Sequence, residues 1–136
     1  MLENYHKSRT NRILIFVLYK NEAVQLLERL TSRGFNATAI HGDRSQYDRT
    51  AALEEFKSGK TPLLIATDVA ARGLDISDVD LVVHYELPHD TESFVHRCGR
   101  TGRANKTGSA IAMYTPREQY RVKLIARETG VNFRVI

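Results

Sequence analysis

Cysteine is almost missing from this 136-residue chain: Cys98 stands alone. A single thiol excludes an intrachain disulfide and fits a reducing, intracellular compartment. His96 and Cys98 have no second pair at ligand spacing, so no zinc site of the usual kind is expected. No apolar run approaches the roughly 18 residues that a membrane span needs. The first residues, Met1 to Asn11, are polar and lack the apolar core of a signal peptide. Internal repeats and low-complexity runs are absent too.

A nucleotide-binding P-loop is another absence. Gly59-Lys60-Thr61 looks like the end of one, but Glu54 stands where its first glycine belongs, and a helical pattern leads in instead of a strand. The segment reads as a helix stop and a turn into a strand. Acidic residues are missing as well from one long stretch: none occurs from Ser93 to Lys106.

That stretch holds what the chain has most of. His96-Arg97-Cys98-Gly99-Arg100-Thr101-Gly102-Arg103 places three arginines at every third position with glycines between them. Arginine suits phosphate because its planar fork donates several hydrogen bonds and stays charged. With no local acid to neutralise them, these arginines point to phosphate arriving from outside the chain. Lys plus Arg number 20 and Asp plus Glu 16, a net charge of +4, which is compatible with a polyanion partner. Hydrophobic content of 42% and charged content of 26% indicate a globular domain, and the length fits one.

Strand-like and helix-like segments alternate. Ile13 to Val17 is a continuous apolar run, expected of a strand buried on both faces. Asn21 to Arg33 has Ala23, Val24, Leu26, Leu27 and Leu30 at helical spacing, followed by Gly34. Ala37 to Ile40, Leu63 to Ala66, Leu81 to Val83 and Ser109 to Tyr114 read as further strands. Gln46 to Ser58, Thr91 to Cys98 and Pro116 to Thr129 read as helices, with Pro116 in a favoured first-turn position. The pattern predicts an α/β fold: a doubly wound, mostly parallel sheet with helices on both faces. In such sheets function collects at the carboxyl ends of the strands. One edge is therefore expected to gather Arg72, Asp75, Arg100 and Arg103. Thr67-Asp68 also reads as a helix cap.

Four segments, in order, resemble the C-terminal RecA-like domain of DEAD-box RNA helicases. Ile13 to Val17 resembles motif IV. His41-Gly42-Asp43 with Gln46 and Arg49 resembles the loop and Gln-x-x-Arg element that follow it. Thr67-Asp68-Val69-Ala70-Ala71-Arg72-Gly73-Leu74-Asp75 resembles motif V, and His96 to Arg103 resembles motif VI. The match runs over roughly residues 12 to 115. His96 separates this family from DEAH-type helicases, which usually carry glutamine there. The chain departs from the common pattern at Glu86, Cys98 and Asn105.

The resemblance implies that residues 1–11 form an interdomain linker and 12–136 the helicase C-terminal domain. It implies a partner, the N-terminal RecA-like domain of the same protein, which carries the P-loop and holds most of the Mg2+ that accompanies ATP. Arg100 and Arg103 are then arginine fingers for the γ-phosphate, with Gly73 and Asp75 also in the ATP site, Asp75 accepting from a ribose hydroxyl. Gly42, Gln46, Arg49, Thr67 and Asp68 would contact the backbone of single-stranded or duplex RNA. Arg72, His96 and Arg97 would join the interdomain network, although Arg97 could instead pair with a local acid such as Asp75 or Glu92. The implied parent is an ATP-dependent RNA helicase, monomeric and not membrane-bound, and this segment alone would hydrolyse no ATP. The alternatives are a non-catalytic RNA- or protein-binding module on the same fold, or a DNA helicase of the same superfamily.

Overall fold

The computed structural model describes residues 11–42, 44–101 and 109–136. In chain order the elements are β1 (Ile13–Val17), α1 (Lys20–Ser32), β2 (Ala37–Ile40), α2 (Gln46–Lys57), β3 (Leu63–Thr67) and a single turn α3 (Asp68–Ala71). β4 (Leu81–His84), α4 (Thr91–Cys98), β5 (Ser109–Ala112), a 3-10 turn (Pro116–Glu118) and α5 (Gln119–Thr129) complete them. The strands form one sheet of order β2-β3-β1-β4-β5 in which every pair is parallel. The expected architecture is borne out.

β1 and β3 are buried at all five positions each, as strands covered on both faces must be. Their side chains alternate between two cores. Leu14, Phe16, Leu64, Ala66 and Val82 pack with Ala52 and Phe56 of α2 and with Ala70 and Ala71 of α3. Ile13, Ile15, Val17, Ile65 and Val83 pack with Ala23, Leu26 and Leu30 of α1 on the opposite face. Val24, expected on the apolar side of α1, is exposed.

The P-loop look-alike is the helix stop that its context predicted. Gly59 adopts φ +84° just after α2, and the buried Thr61 donates its N–H to Glu55 O at 3.1 Å on the way into β3. β5 ends at Ala112, two residues short of the expected Tyr114. The last ladder bond runs from Met113 N to His84 O at 2.9 Å, and Thr115 then opens a capping box with Glu118. Thr67 is the helix cap that the sequence suggests: its hydroxyl accepts from Ala70 N at 3.3 Å and starts α3.

Candidate functional site

Phe94 and Arg97 are three apart on α4, so one helical stripe turns both toward the sheet. Arg97 is only 1% exposed. Its Nε donates to Asp68 Oδ1 at 2.8 Å and its Nη2 to Asp68 Oδ2 at 2.7 Å, a bidentate ion pair. Nη1 donates to Glu86 O at 2.8 Å and lies 3.3 Å from His84 Nδ1. The guanidinium carbon stands 5.0 Å from the centre of the Phe16 ring. Asp68 thus takes the place of Asp75 and Glu92 as the acid expected beside Arg97. Arg97, which the resemblance assigns to the interdomain network, is buried within this domain. A cation this deep needs a carboxylate and carbonyls around it, and these tie α4 to α3 and to the end of β4 within the domain.

His84 closes the group from below. It is fully buried, and its ring stacks on Phe94 with centroids 4.7 Å apart and planes at 15°. Arginine can only donate, so Nδ1 must accept, which leaves the ring proton on Nε2, 3.6 Å from Cys98 Sγ. Burial pushes the His84 pKa down to about 3, helped by the Arg97 charge and opposed by Asp68. Burial also pushes the Cys98 thiol up to about 11 against the pull of Arg97, in keeping with the half-buried apolar role its sequence context suggests. Both groups are neutral at pH 7.

A pH dependence follows. The folded pKa of His84 lies below the ordinary 6.5, so as pH falls the unfolded chain takes the proton first. The resulting stabilisation is complete above pH 6.5 and is lost between there and about 3, with a slope approaching about 1.4 kcal/mol per pH unit. Urea unfolding of the parent chain and of His84→Asn at pH 7, 5.5 and 4.5 measures it. The substituted chain is expected to lose stability less steeply; parallel slopes would remove His84 from the acid sensitivity.

The residues read as RNA-facing sit at the carboxyl edge of the sheet. Gly42, in the turn after β2, is exposed, and a Cβ built there meets nothing within 4 Å. Gln46 opens α2 beside Thr50, with Nε2 to Oγ1 at 3.5 Å. Arg49 is half-buried, and its Nε has no hydrogen-bond partner among the described residues. Thr67 caps α3, so its hydroxyl is engaged inside the domain, as are both carboxylate oxygens of Asp68. Arg72 follows α3 and is exposed, its N–H bonded to Asp68 O at 3.1 Å.

The residues read as ATP-facing do not share that edge, which corrects the single-edge expectation. α4 starts at the carboxyl edge and runs back along the sheet, as a crossover between parallel strands requires. Its far end therefore lies near the amino ends: Val79 N donates to Arg100 O at 3.1 Å, two residues before β4 begins. Gly73 (φ +78°), Leu74 and Asp75 descend the same face. Together with Val95, His96, Gly99 and Arg100 they line an open cleft of about 630 Å³. Asp75 is 81% exposed, 3.3 Å from Lys57 Nζ and beside Ser77 Oγ at 3.5 Å. His96 is 71% exposed and stands 4.0 Å from Glu92 Oε1. Arg100 folds back onto main-chain carbonyls: Nη1 donates to Leu74 O at 3.0 Å and Ile76 O at 3.2 Å, and Nη2 to Ala71 O at 3.3 Å. His96 and Arg100 also border a pocket of about 60 Å³ shared with Asp68, Arg72, Ser93 and Arg97. Arg103, Asp43, Asn105 and residues 1–10 lie outside the described residues.

Sequence reading missed two participants. His84 shares a sheet face with Val82, two residues back, so strand parity predicts its burial but not its partner. Glu86 accepts from Leu18 N at 2.9 Å through Oε1, joining the ends of β1 and β4, while its carbonyl accepts from Arg97. The sequence marks Glu86 only as a departure from the family pattern, which says nothing of these contacts.

Comparison with known proteins places this geometry. Residues 1–105 match the family model described as helicase conserved C-terminal domain. DEAD-box ATP-dependent RNA helicase 5 of Oryza sativa subsp. japonica is 55% identical over 115 residues, covering 85% of this chain and 22% of the relative. The chain thus spans about a fifth of the length of that relative. The C-terminal domain of the DEAD-box protein Dbp5 superposes with a TM-score of 0.84 at 32% identity, covering 96% of this chain and 77% of the other. Dbp5 of S. cerevisiae, bound to RNA and ADP BeF3, matches at a TM-score of 0.84 and 33% identity, over 95% of this chain and 35% of that one. The chain belongs to the helicase conserved C-terminal domain family and is a DEAD-box domain of RecA-like fold.

Proposed function

We propose that this chain is the second RecA-like half of an ATP-dependent RNA helicase, closing on an N-terminal RecA-like domain over ATP and RNA. The observation that carries the reading is the open cleft that Gly73, Asp75, His96 and Arg100 line together. Its donor set suits a nucleotide: a carboxylate to accept from ribose hydroxyls, a guanidinium for phosphate, and a glycine that leaves backbone accessible. Arg100 and Arg103 would stabilise charge on the transferred phosphate. Mg2+ accompanying ATP would be held mainly by the N-terminal domain, as the resemblance implies.

RNA would lie along the other edge. Gly42 offers an accessible backbone, and Gln46 and Arg49 project from the first turn of α2. Thr67 would act through its backbone, because its hydroxyl already caps α3. Asp68 would act at one remove by holding that turn against Arg97. Contacts of this kind position a strand without reading its bases. The names of the similar proteins support the same reading: one is called an ATP-dependent RNA helicase, and another is described as bound to RNA and ADP BeF3.

The test is ATP turnover by the parent protein with its N-terminal domain, with and without RNA, beside the 136-residue segment. Turnover by the parent that depends on RNA, with none from the segment, is expected. A parent that binds RNA but never turns over ATP would favour the binding-module alternative. Turnover by the segment alone, rising with its concentration and surviving further purification, would overturn the division of labour.

A further inference from the structure

We propose that His84 is a positioning residue for the helicase reaction: through its Nδ1 it fixes the Arg97 fork that holds α3 and α4 in register. The proposal rests on the function proposed above, but its geometric half can be tested without it.

Arg97 is the only described side chain that hydrogen-bonds both to the turn carrying Thr67 and Asp68 and to the end of β4, while itself belonging to the helix that carries His96 and leads to Arg100. α3 faces the proposed RNA edge, and α4 runs to the proposed ATP cleft. A guanidinium is planar, so fixing the direction of Nη1 fixes where Nε and Nη2 point. Two acceptors receive Nη1. Glu86 O is main chain, set by the loop after β4. His84 Nδ1, at 3.3 Å, is the acceptor supplied by a side chain, and the sequence can therefore vary it. The ring is held in turn by stacking on Phe94 from α4 and by Cys98 Sγ against Nε2. His84 thus orients Arg97 from one side as Asp68 does from the other.

A positioning role and a packing role make opposite predictions for two substitutions. His84→Phe keeps a ring that can stack on Phe94 but has no acceptor. His84→Asn loses the ring, yet its Oδ1 lies at the position of Nδ1 and can accept from Arg97. If His84 merely fills space, phenylalanine is the milder change. If it aims Arg97, asparagine is.

The first measurement is hydrogen exchange at the Arg97 Nε–H in nitrogen-15-labelled 136-residue chain, the signal being identified by its loss in Arg97→Lys. Exchange at least tenfold faster in His84→Phe, and near the original rate in His84→Asn, is expected. Parent-like protection in His84→Phe would overturn the proposal. The second is RNA-stimulated ATP turnover by the parent protein. His84→Phe is expected to raise the RNA concentration for half-maximal turnover at least fivefold, and His84→Asn to stay within twofold. A lower kcat with unchanged half-saturation in His84→Phe would report loss of folded protein alone and would overturn the positioning role. Should His84→Phe fail to fold, His84→Asn decides: half-saturation within twofold supports the proposal, and a larger rise refutes it. A parent without RNA-stimulated turnover would defeat the proposed function and the positioning role with it. The exchange measurement would then still show whether His84 holds Arg97.

Discussion

Arg100→Ala is expected to lower RNA-stimulated ATP turnover of the proposed parent helicase by about 10³-fold or more, with RNA binding in the absence of nucleotide kept within about threefold. The magnitude comes from the task proposed for this arginine, which is to meet charge that develops as a phosphoryl group leaves. In this structure Arg100 is turned toward the neutral carbonyls of Ala71, Leu74 and Ile76 at 3.0 to 3.3 Å. Hydrogen bonds from a guanidinium to an ionised phosphate are shorter and stronger than bonds to a carbonyl. Exchange of these carbonyls for phosphate oxygens on domain closure is therefore favourable, and until then they hold the side chain at the cleft wall. The same carbonyls supply the control. Alanine also removes three main-chain contacts, so some stability is lost, by about 1–3 kcal/mol. Urea unfolding separates that loss from catalysis, since a protein still folded at the assay temperature cannot lose 10³-fold through instability. Arg100→Lys keeps the charge but not the fork, and is expected to recover only a small part of the rate. A decrease below tenfold for alanine would exclude Arg100 as a finger.

Much of the fold was legible because its strands are buried on both faces and its helices are striped. Ile13 to Val17 and Leu63 to Thr67 are apolar throughout except for the last residue, and that residue, Thr67, ends the strand by capping the next turn. The site was legible as a set of residues but not as a layout. Placing Asp75 and Arg100 at the carboxyl edge treated the loop after β3 and the helix after β4 as staying where they begin. Both travel the length of a strand, and length alone does not say how far a connection descends a face. The partner of Arg97 was illegible for a different reason. Asp68 is 29 residues away, whereas Glu92 is a neighbour and Asp75 is nearer in the chain. Only packing α4 against β1 brings Arg97 over Phe16 and beside α3. Helical spacing from Phe94 would have revealed that Arg97 is buried. A buried arginine implies a buried acceptor, and the search for one leads to Asp68 and, with strand parity, to His84.

Asp68→Ala should be the most destabilising polar substitution in the domain. Removing one partner of a buried ion pair leaves the other charge without compensation, at a cost of about 3–5 kcal/mol. Here the lower end applies, because the Asp68 side chain keeps 30% exposure while Arg97 keeps 1%, so water can approach from the Asp68 side alone. A loss of about 3 kcal/mol is a large part of the 5–15 kcal/mol that holds a domain together. The test is a double-mutant cycle in urea with Asp68→Ala, Arg97→Met and both together. Arg97→Met keeps an unbranched stem over Phe16 but leaves Asp68 partly solvated, so it is expected to cost less than Asp68→Ala. The double variant should be more stable than Asp68→Ala, because the stranded charge has gone. If Asp68→Ala costs less than about 1 kcal/mol, as exposed pairs do, Arg97 is reaching another acceptor or water, and the clamp between α3 and α4 is not held by charge. If the expected order holds, α3 and α4 keep their register because an uncompensated Arg97 is too costly at that depth. The turn proposed to face RNA and the helix proposed to lead to ATP are then coupled by the same four hydrogen bonds.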